Sequence, residues 1–268
     1  MLVDVVVSTK NNPTGLAQLL SHLPFQTHKN LRLVLNDESD VSVLSHPTIV
    51  RTIDLLALHD IHMVYNRNLE SKGTPWSTHV AFSLATADYL WSLDDDAIPD
   101  PTALERLLEA IEEKDCGYVQ GCTGDISNSR GHANYVAKPL SLPNDPNFPL
   151  YYYYRYNGDR TRPIAHGEGC NVLFNREKLK SIKNNYFNKD FILEYGNNSG
   201  IHVAITFMLG LEHTGYIRTG SVAYHLDRIN PRFDFKTKRN QIIANKVRPH
   251  VSHLDYQGFV ATLKINDL

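Results

Sequence analysis

The sequence predicts an α/β fold with a mostly parallel central sheet flanked by helices, and a smaller region toward the C-terminus. In the first hundred residues, short β-branched runs alternate with segments of helical period, which is the pattern of βαβ units. An Asn-Pro pair and an Asp-Pro pair each precede an apolar stripe, as expected where a capping residue is followed by proline at the first helical position. Together these patterns favour one large sheet built by successive crossovers.

The strands and helices of the N-terminal half follow from the hydrophobic period. Apolar runs predict strands at 3–7, 31–35, 62–65, 89–93 and 118–121. A helix is predicted after Asn12-Pro13 because four leucines fall on one face, namely Leu16, Leu19, Leu20 and Leu23. Further helices are predicted at 76–87 and from Asp100-Pro101 to about residue 113. The acidic run Asp94-Asp95-Asp96 therefore lies in a turn between a buried strand and a helix.

The second half of the chain is less regular. Residues 125–163 have no clean period and contain the cluster Tyr151-Tyr152-Tyr153-Tyr154. Beyond them we predict a strand at 171–174, a short helix at 176–182 and a nearly all-apolar helix at 200–211. Residues 228–248 carry seven basic side chains against one acidic side chain, Asp234.

The composition indicates a chain that can bury a large core, since 42% of its residues are hydrophobic. Lys and Arg total 27 against 29 Asp and Glu, so no global field favours or excludes a nucleic-acid partner. No basic leader precedes the first strand, and no stretch approaches the roughly 20 apolar residues of a membrane span. We therefore expect a soluble, cytoplasmic protein without a transmembrane segment. Three cysteines without zinc spacing are expected to be reduced and buried, namely Cys116, Cys122 and Cys170.

The acidic run is a candidate metal site. In an open α/β sheet, ligands bind beyond the carboxyl ends of the strands, and Leu93 is the last apolar residue before Asp94. Three adjacent carboxylates repel one another, and a cation between them removes that cost. Hard oxygen ligands suit Mg²⁺ or Mn²⁺, which commonly bridge carboxylates to substrate phosphates. The alternative interpretation is a solvated turn that caps the next helix.

Several segments, taken in order, resemble the GT-A glycosyltransferases of family 2. The opening strand at 3–12 and the second strand at 33–39, which ends in Asp37-Glu38, are similar to those of the family. The run 90–96 with its downstream Pro99 resembles the family's metal-binding DxD motif. The resemblance extends over residues 1–115, and it is partial at 167–176.

The resemblance implies a GT-A (Rossmann-like) fold and a metal-dependent hexosyltransferase that uses a UDP-linked nucleotide-sugar donor. Residues 1–225 would form the GT-A domain, with a donor half at 1–121, an acceptor half at 122–225 and a basic extension at 226–268. Its donor-binding residues would be Ser8, Thr9, Asn11, Asp37 and Asp95. A Mn²⁺ or Mg²⁺ ion would be held by Asp94, Asp96 and a late histidine, His225.

One position departs from the family pattern. Inverting members carry an acidic pair after a Tyr-Gly-like turn, where this sequence has Asn197-Asn198. An amide does not take a proton from a hydroxyl near neutral pH, so the base is elsewhere, the mechanism is retaining, or the protein binds donors without turnover. The nearby acids that could serve as the base are Glu194, Asp190 and Glu168. A sugar nucleotidyltransferase is a further alternative, although the loop at 8–15 lacks the glycine-rich basic signature of such enzymes.

Two segments of the sequence bear on the acceptor. The tyrosine cluster could stack a sugar or an unpaired base, and the basic residues of 228–248 could follow a phosphate backbone, as expected for an enzyme that modifies bases in DNA. Alternatively, the tyrosines fill an interface and the basic residues hold the donor or face solvent. A glycan, a protein, a lipid-linked molecule or a small molecule remains open as the acceptor.

Overall fold

The structure, a computed structural model, describes residues 1–125, 135–142, 145–155, 161–164, 166–167, 169–181, 201–225, 245 and 247–250. Its strands are β1 (Val3–Thr9), β2 (Leu31–Asp37), β3 (His62–Arg67), β4 (Tyr89–Asp94), β5 (Ala97–Pro99), β6 (Tyr118–Asp125), β7 (Tyr135–Leu142), β8 (Asp145–Arg155), β9 (Thr161–Ile164), β10 (Val172–Asn175) and β11 (Gly215–His225). Its helices are α1 (Pro13–His22), α2 (Pro47–Leu58), α3 (Thr74–Leu84), α4 (Ala103–Lys114), α5 (Arg176–Ser181) and α6 (Ile201–His213). In the part of the chain so described, no helix is both long and apolar enough to cross a membrane.

The main sheet has the strand order β3-β2-β1-β4-β10-β6-β11-β5, and β9 pairs with the outer side of β11. Strands β3, β2, β1 and β4 are parallel to one another. Strand β10 runs antiparallel to both β4 and β6, whereas β11 is parallel to β6 and antiparallel to β5. Strands β7 and β8 form a separate antiparallel pair. The predicted parallel order therefore holds for the N-terminal half, and the second half of the sheet is mixed.

Helices cover both faces of this sheet, and alternate strand residues point to opposite faces. On one face, Val5 and Trp91 pack in a core with the leucines of α1 and α4. On the other face, Val6 and Leu90 pack in a core with α3 and α6. Burial on both faces explains why these strands read as continuous apolar runs instead of alternating ones.

The N-terminal elements were predicted well, and the exceptions have identifiable causes. Asn12 caps α1 as predicted, because its Oδ1 accepts from the Gly15 amide at 3.3 Å. Helix α4 begins at Ala103 and not directly after Asp100, because Asp100 Oδ1 accepts from the Thr102 amide and hydroxyl in a preceding turn. Helix α2 and strands β5, β7, β8 and β9 were not predicted.

A buried carboxylate explains why α3 ends at Leu84 and not at the predicted residue 87. Asp4 accepts from the backbone amides of Thr86 and Ala87 at 2.7 and 2.9 Å, which draws the chain out of the helix and into β4. The Arg32 guanidinium donates to both oxygens of Asp4 at 2.7 and 2.8 Å. The hydrogen bond to Asp4 raises the pKa of Arg32 above its ordinary value, against the opposing effect of burial. Asp4 thus joins β1, β2 and the start of β4.

The three thiols are buried, which confirms that expectation. Burial raises the pKa of Cys116 to about 12, so its reactive thiolate form is scarce at neutral pH. These cysteines belong to the core of the sheet.

Replacing Asp4 should be costly even without a change of size. In Asp4→Asn, the side chain keeps one acceptor oxygen, and its new amide group faces donors from Arg32 and the backbone. We expect the free energy of unfolding to fall by about 2–4 kcal/mol, because buried donors lose their charged partner. Urea denaturation measures this loss. Asp54→Asn, on the exposed side of α2, is the control and should change stability by less than about 0.5 kcal/mol; equal effects of the two substitutions would contradict the assignment.

Candidate active site at the carboxyl ends of the strands

The acidic run forms the tight turn between β4 and β5. Asp94 ends β4, and Asp95 and Asp96 make the turn itself. Their exposed fractions are only 5% and 7%, although both carry acidic side chains. Strand β5 then pairs with β11, where Ala97 lies opposite His225. Pairing on both sides therefore fixes the turn at the edge where the parallel strands end.

A hydrogen bond connects Asp95 to the end of β1. The Thr9 hydroxyl donates to Asp95 Oδ2 at 2.7 Å, and Thr9 is buried. Because Thr9 is the last residue of β1, this bond connects the end of β1 to the turn after β4. Asp95 is thereby oriented toward β1, and it separates Asp94 from Asp96 along the chain.

Ser8 lies beside the acidic turn. In the register of the sheet, Ser8 is opposite Asp94 of β4 on one side and Asn36 of β2 on the other. Paired residues share a face of the sheet, so these three polar side chains project from the same face at its carboxyl edge. Asn36 is buried and donates to the Ser77 hydroxyl at 2.7 Å, which fixes the first turn of α3 against β2.

Asp37 is a buried carboxylate that organises the loop after β2. Its Oδ1 accepts from the Ser39 amide at 2.9 Å, and its Oδ2 accepts from the Val43 amide at 3.0 Å and the Tyr65 hydroxyl at 2.8 Å. Burial raises the pKa of Asp37, but the hydrogen bonds from these groups outweigh it and hold the pKa below its usual value. Asp37 is therefore ionised at neutral pH and anchors the loop.

Asn11 joins the loops that follow β1 and β2. It adopts a left-handed backbone conformation with φ of 54°, and its amide donates to the Ser39 hydroxyl at 2.8 Å. Its side chain accepts from the Asp40 amide and donates to the Asp40 carboxylate, both at 2.9 Å. Asn tolerates this conformation better than most residues, which suits it to the position.

The loop after β3 is attached to the same rim. Glu38 accepts from Asn68 at 3.0 Å and from Ser71 at 3.1 Å, and Lys10 donates to Ser71 at 3.0 Å. Arg67 donates to the carbonyl of Asp40 at 3.1 Å. The loops after β1, β2 and β3 thus form one connected polar rim beside the acidic turn.

The remaining predicted site residues lie partly or wholly outside the residues that the structure describes. His225 ends β11, with Ala97 and Asp125 as its strand partners, and its side chain is outside the described residues. The predicted bases Glu168, Asp190 and Glu194 lie outside the described residues, as does Asn197-Asn198. Among the side chains that are described, no group of three or more metal ligands is close enough to hold an ion.

Comparison with known proteins assigns the chain to a protein family. The sequence model described as Glycosyl transferase family 2 matches residues 4–183, more than half of the chain. The chain belongs to glycosyl transferase family 2. The glycosyltransferase GlyG of Streptococcus pneumoniae serotype 4 (strain ATCC BAA-334 / TIGR4) is 24% identical over 131 residues, which are 49% of this chain and 42% of GlyG. The chain therefore spans less than half the length of this curated relative.

Two solved structures show the fold that this family 2 chain shares. Residues 1–349 of S. aureus TarS, in complex with UDP-GlcNAc, match with a TM-score of 0.65 and 15% identity, covering 98% of this chain and 71% of that one. The mannosyltransferase PcManGT from Pyrobaculum calidifontis, in complex with GDP-Man and Mn²⁺, matches with a TM-score of 0.65 and 14% identity, covering 97% and 68%. These likenesses confirm the predicted GT-A glycosyltransferase fold.

Several polar residues near the strand ends of this family 2 chain were not predicted from its sequence. Tyr65 contacts Asp37 from the next strand, and its position in an apolar run concealed that role. His202 contacts Ser92, with 3.3 Å between Nε2 and Oγ. A detectable signal existed for this second pair, since each residue interrupts an otherwise apolar segment, 89–93 or 200–211.

The low pKa of Asp37 makes part of the stability depend on pH. At pH 7, Asp37→Asn should reduce the free energy of unfolding by about 1–3 kcal/mol, because one of the two buried acceptor oxygens becomes an amide group that cannot accept a hydrogen bond. A depressed folded-state pKa adds stability above the unfolded value of about 3.9, and this contribution disappears as pH falls through the folded pKa. The difference between wild type and Asp37→Asn should therefore shrink below about pH 4. Urea denaturation across a pH series tests this, and a difference that grows on acidification would contradict the role of Asp37.

Proposed function

We propose that this chain transfers a hexose from a nucleotide-sugar donor, UDP-linked, with a Mn²⁺ or Mg²⁺ ion held by Asp94, Asp96 and His225. The observation that carries the proposal is the acidic turn, fixed between β4 and β5 at the carboxyl edge of the sheet. Family membership supports sugar transfer, and TarS with UDP-GlcNAc and PcManGT with GDP-Man and Mn²⁺ support the donor class and the ion.

The side chains that we propose as metal ligands have the chemistry that such an ion prefers. Mg²⁺ and Mn²⁺ prefer carboxylate and water oxygens, and they are commonly bound through one or two carboxylates together with substrate phosphates. The alternating spacing of a DxD pair assigns Asp94 and Asp96 as the ligands, with Asp95 between them bound by Thr9. The pairing of Ala97 with His225 supports the histidine as a third ligand. When bound, the ion would neutralise negative charge on the departing diphosphate.

The polar rim fits the nucleoside end of a donor. Ser8 and Asn11 offer small donor and acceptor groups at the ends of strands, as expected for contacts with a ribose or a base. The hydrogen bond between Thr9 and Asp95 would hold in place the part of the pocket that receives the diphosphate. Asp37 would shape the nucleoside pocket by holding Ser39 and the loop after β2 in place. A preformed pocket of this kind spends little binding energy on ordering its loops.

The proposal also divides the chain into a donor side and an acceptor side. We propose that residues 1–121 bind the donor, that 122–225 face the acceptor and that 226–268 form a basic extension of the GT-A domain at 1–225. The acceptor is a glycan, a protein or a small molecule, with modified DNA as the alternative favoured by the basic run at 228–248. Glu194, Asp190 and Glu168 remain candidate bases from the sequence.

The metal pair is tested by nucleotide binding. We expect Mn²⁺ to strengthen UDP binding to the wild type. In Asp96→Asn, the Mn²⁺-dependent increase in UDP affinity should be at least about tenfold smaller, because an uncharged amide binds the ion more weakly than a carboxylate does. Calorimetric titration of UDP and of GDP, each with and without Mn²⁺, measures both effects. Asp88→Asn, at the exposed opposite end of β4, is the matched control and should bind as the wild type does.

The same titration separates the alternatives. Identical UDP affinity with and without Mn²⁺ in the wild type and in Asp96→Asn would overturn the metal site. Metal-dependent binding without hydrolysis of any sugar nucleotide would instead indicate a binding protein that lacks turnover.

A further inference from the structure

His202 occupies an unusual position for a polar residue. It lies in the first turn of α6, a helix whose other residues are largely buried in the core, and it is itself half-buried. Its Nε2 lies 3.3 Å from Ser92 Oγ, and Phe82 packs edge-on against its ring with 6.0 Å between centroids. The imidazole is therefore held in one orientation by groups from β4 and α3.

The loop before β10 is shaped around this ring. Gly169 has φ of +109°, a conformation that residues with a side chain rarely adopt. A Cβ there would lie only 2.7 Å from Nδ1 and 2.8 Å from Cγ of His202. The loop is also bound to α6, because the Gly167 amide donates to the Thr206 hydroxyl at 2.7 Å. Glycine at 169 thus permits the close approach of loop and ring.

The ring faces the strand that ends in the acidic turn. Ser92 and Asp94 project from the same face of β4, two residues or about 7 Å apart along the strand. Ser8 projects from that face too, since it pairs with Asp94. His202 consequently stands on the same side of the sheet as Asp94, one of the proposed metal ligands, at the start of a helix that packs there.

We propose that His202 is the general base that removes the proton from the acceptor hydroxyl, an inference that rests on the proposed function. Imidazole is the side chain best suited to accept a proton near neutral pH, whereas the amides Asn197-Asn198 cannot. The acceptor oxygen forms a bond to the anomeric carbon of the sugar as the bond from that carbon to the diphosphate oxygen breaks. The leaving nucleoside diphosphate takes the bonding electron pair, and the acceptor proton passes to the imidazole and then to solvent.

The test uses water as the acceptor, so that no acceptor needs to be known. Hydrolysis of UDP-glucose, UDP-GlcNAc, UDP-galactose and GDP-mannose is measured with Mn²⁺, together with UDP affinity. His202→Gln keeps a hydrogen-bonding group toward Ser92 but does not take up the proton. It should lower kcat by about 10²–10⁴-fold, with UDP affinity within about twofold of wild type.

The matched control is His213→Gln, at the other end of the same helix. His213 Nε2 also contacts a serine hydroxyl, Ser181 Oγ at 2.9 Å, so the two substitutions remove equivalent groups. This control should hydrolyse donors within about threefold of the wild-type rate. Loss of rate in both variants alike would assign His202 a structural role.

Rescue separates chemistry from packing. Free imidazole should restore part of the hydrolysis in His202→Ala, in proportion to its concentration, and should leave His213→Ala unchanged. If the wild type hydrolyses a donor and His202→Gln matches it, the inference is wrong while the proposed function stands. If the wild type neither binds nor hydrolyses any sugar nucleotide, the proposed function itself fails.

Discussion

The hydrogen bond from Thr9 to Asp95 is the constraint on which the site depends. Three consecutive carboxylates in a nearly buried turn repel one another, and a turn of this kind would tend to open toward solvent. Thr9 offers a buried hydroxyl to the central carboxylate, while the pairing of β5 with β11 holds the far side of the turn. The two aspartates on either side of Asp95 are therefore positioned by the sheet itself.

The rest of the sheet supplies that position. Asn171 joins its two halves, because its Oδ1 accepts from Trp91 Nε1 at 3.0 Å and its Nδ2 donates to the Ser221 hydroxyl at 3.2 Å. These bonds connect β4, which leads into the acidic turn, to β11, which ends at His225. Asn171 is fully buried, with φ of 58°, a conformation that asparagine tolerates. A rigid support of this kind is what an active site requires for accurate placement.

Local signals in the sequence predicted strands β1 to β4, β6 and β10, the capped helix α1 and the place of the acidic run at a strand end. Thr9 was predicted as a donor contact, but its bond to Asp95 spans 86 residues, and no local pattern reports such a pair. The same holds for Tyr65 with Asp37 and for Ser92 with His202, which meet only when strands and helices assemble. Asp100 shows the opposite case. The sequence contains a clear Asp-Pro signal for a helix start, but Asp100 accepts from the Thr102 hydroxyl in a turn, and the helix begins later.

The most direct measurement compares two substitutions at Thr9. Thr9→Ser retains the hydroxyl that donates to Asp95, whereas Thr9→Val has nearly the same shape and cannot donate. If the preformed turn creates the metal and donor site, the Mn²⁺-dependent increase in UDP affinity should be about tenfold or more smaller in Thr9→Val than in the wild type. In Thr9→Ser, this increase should be nearly unchanged. Equal Mn²⁺-dependent affinities for wild type, Thr9→Ser and Thr9→Val, measured on folded proteins by calorimetry, would contradict the account.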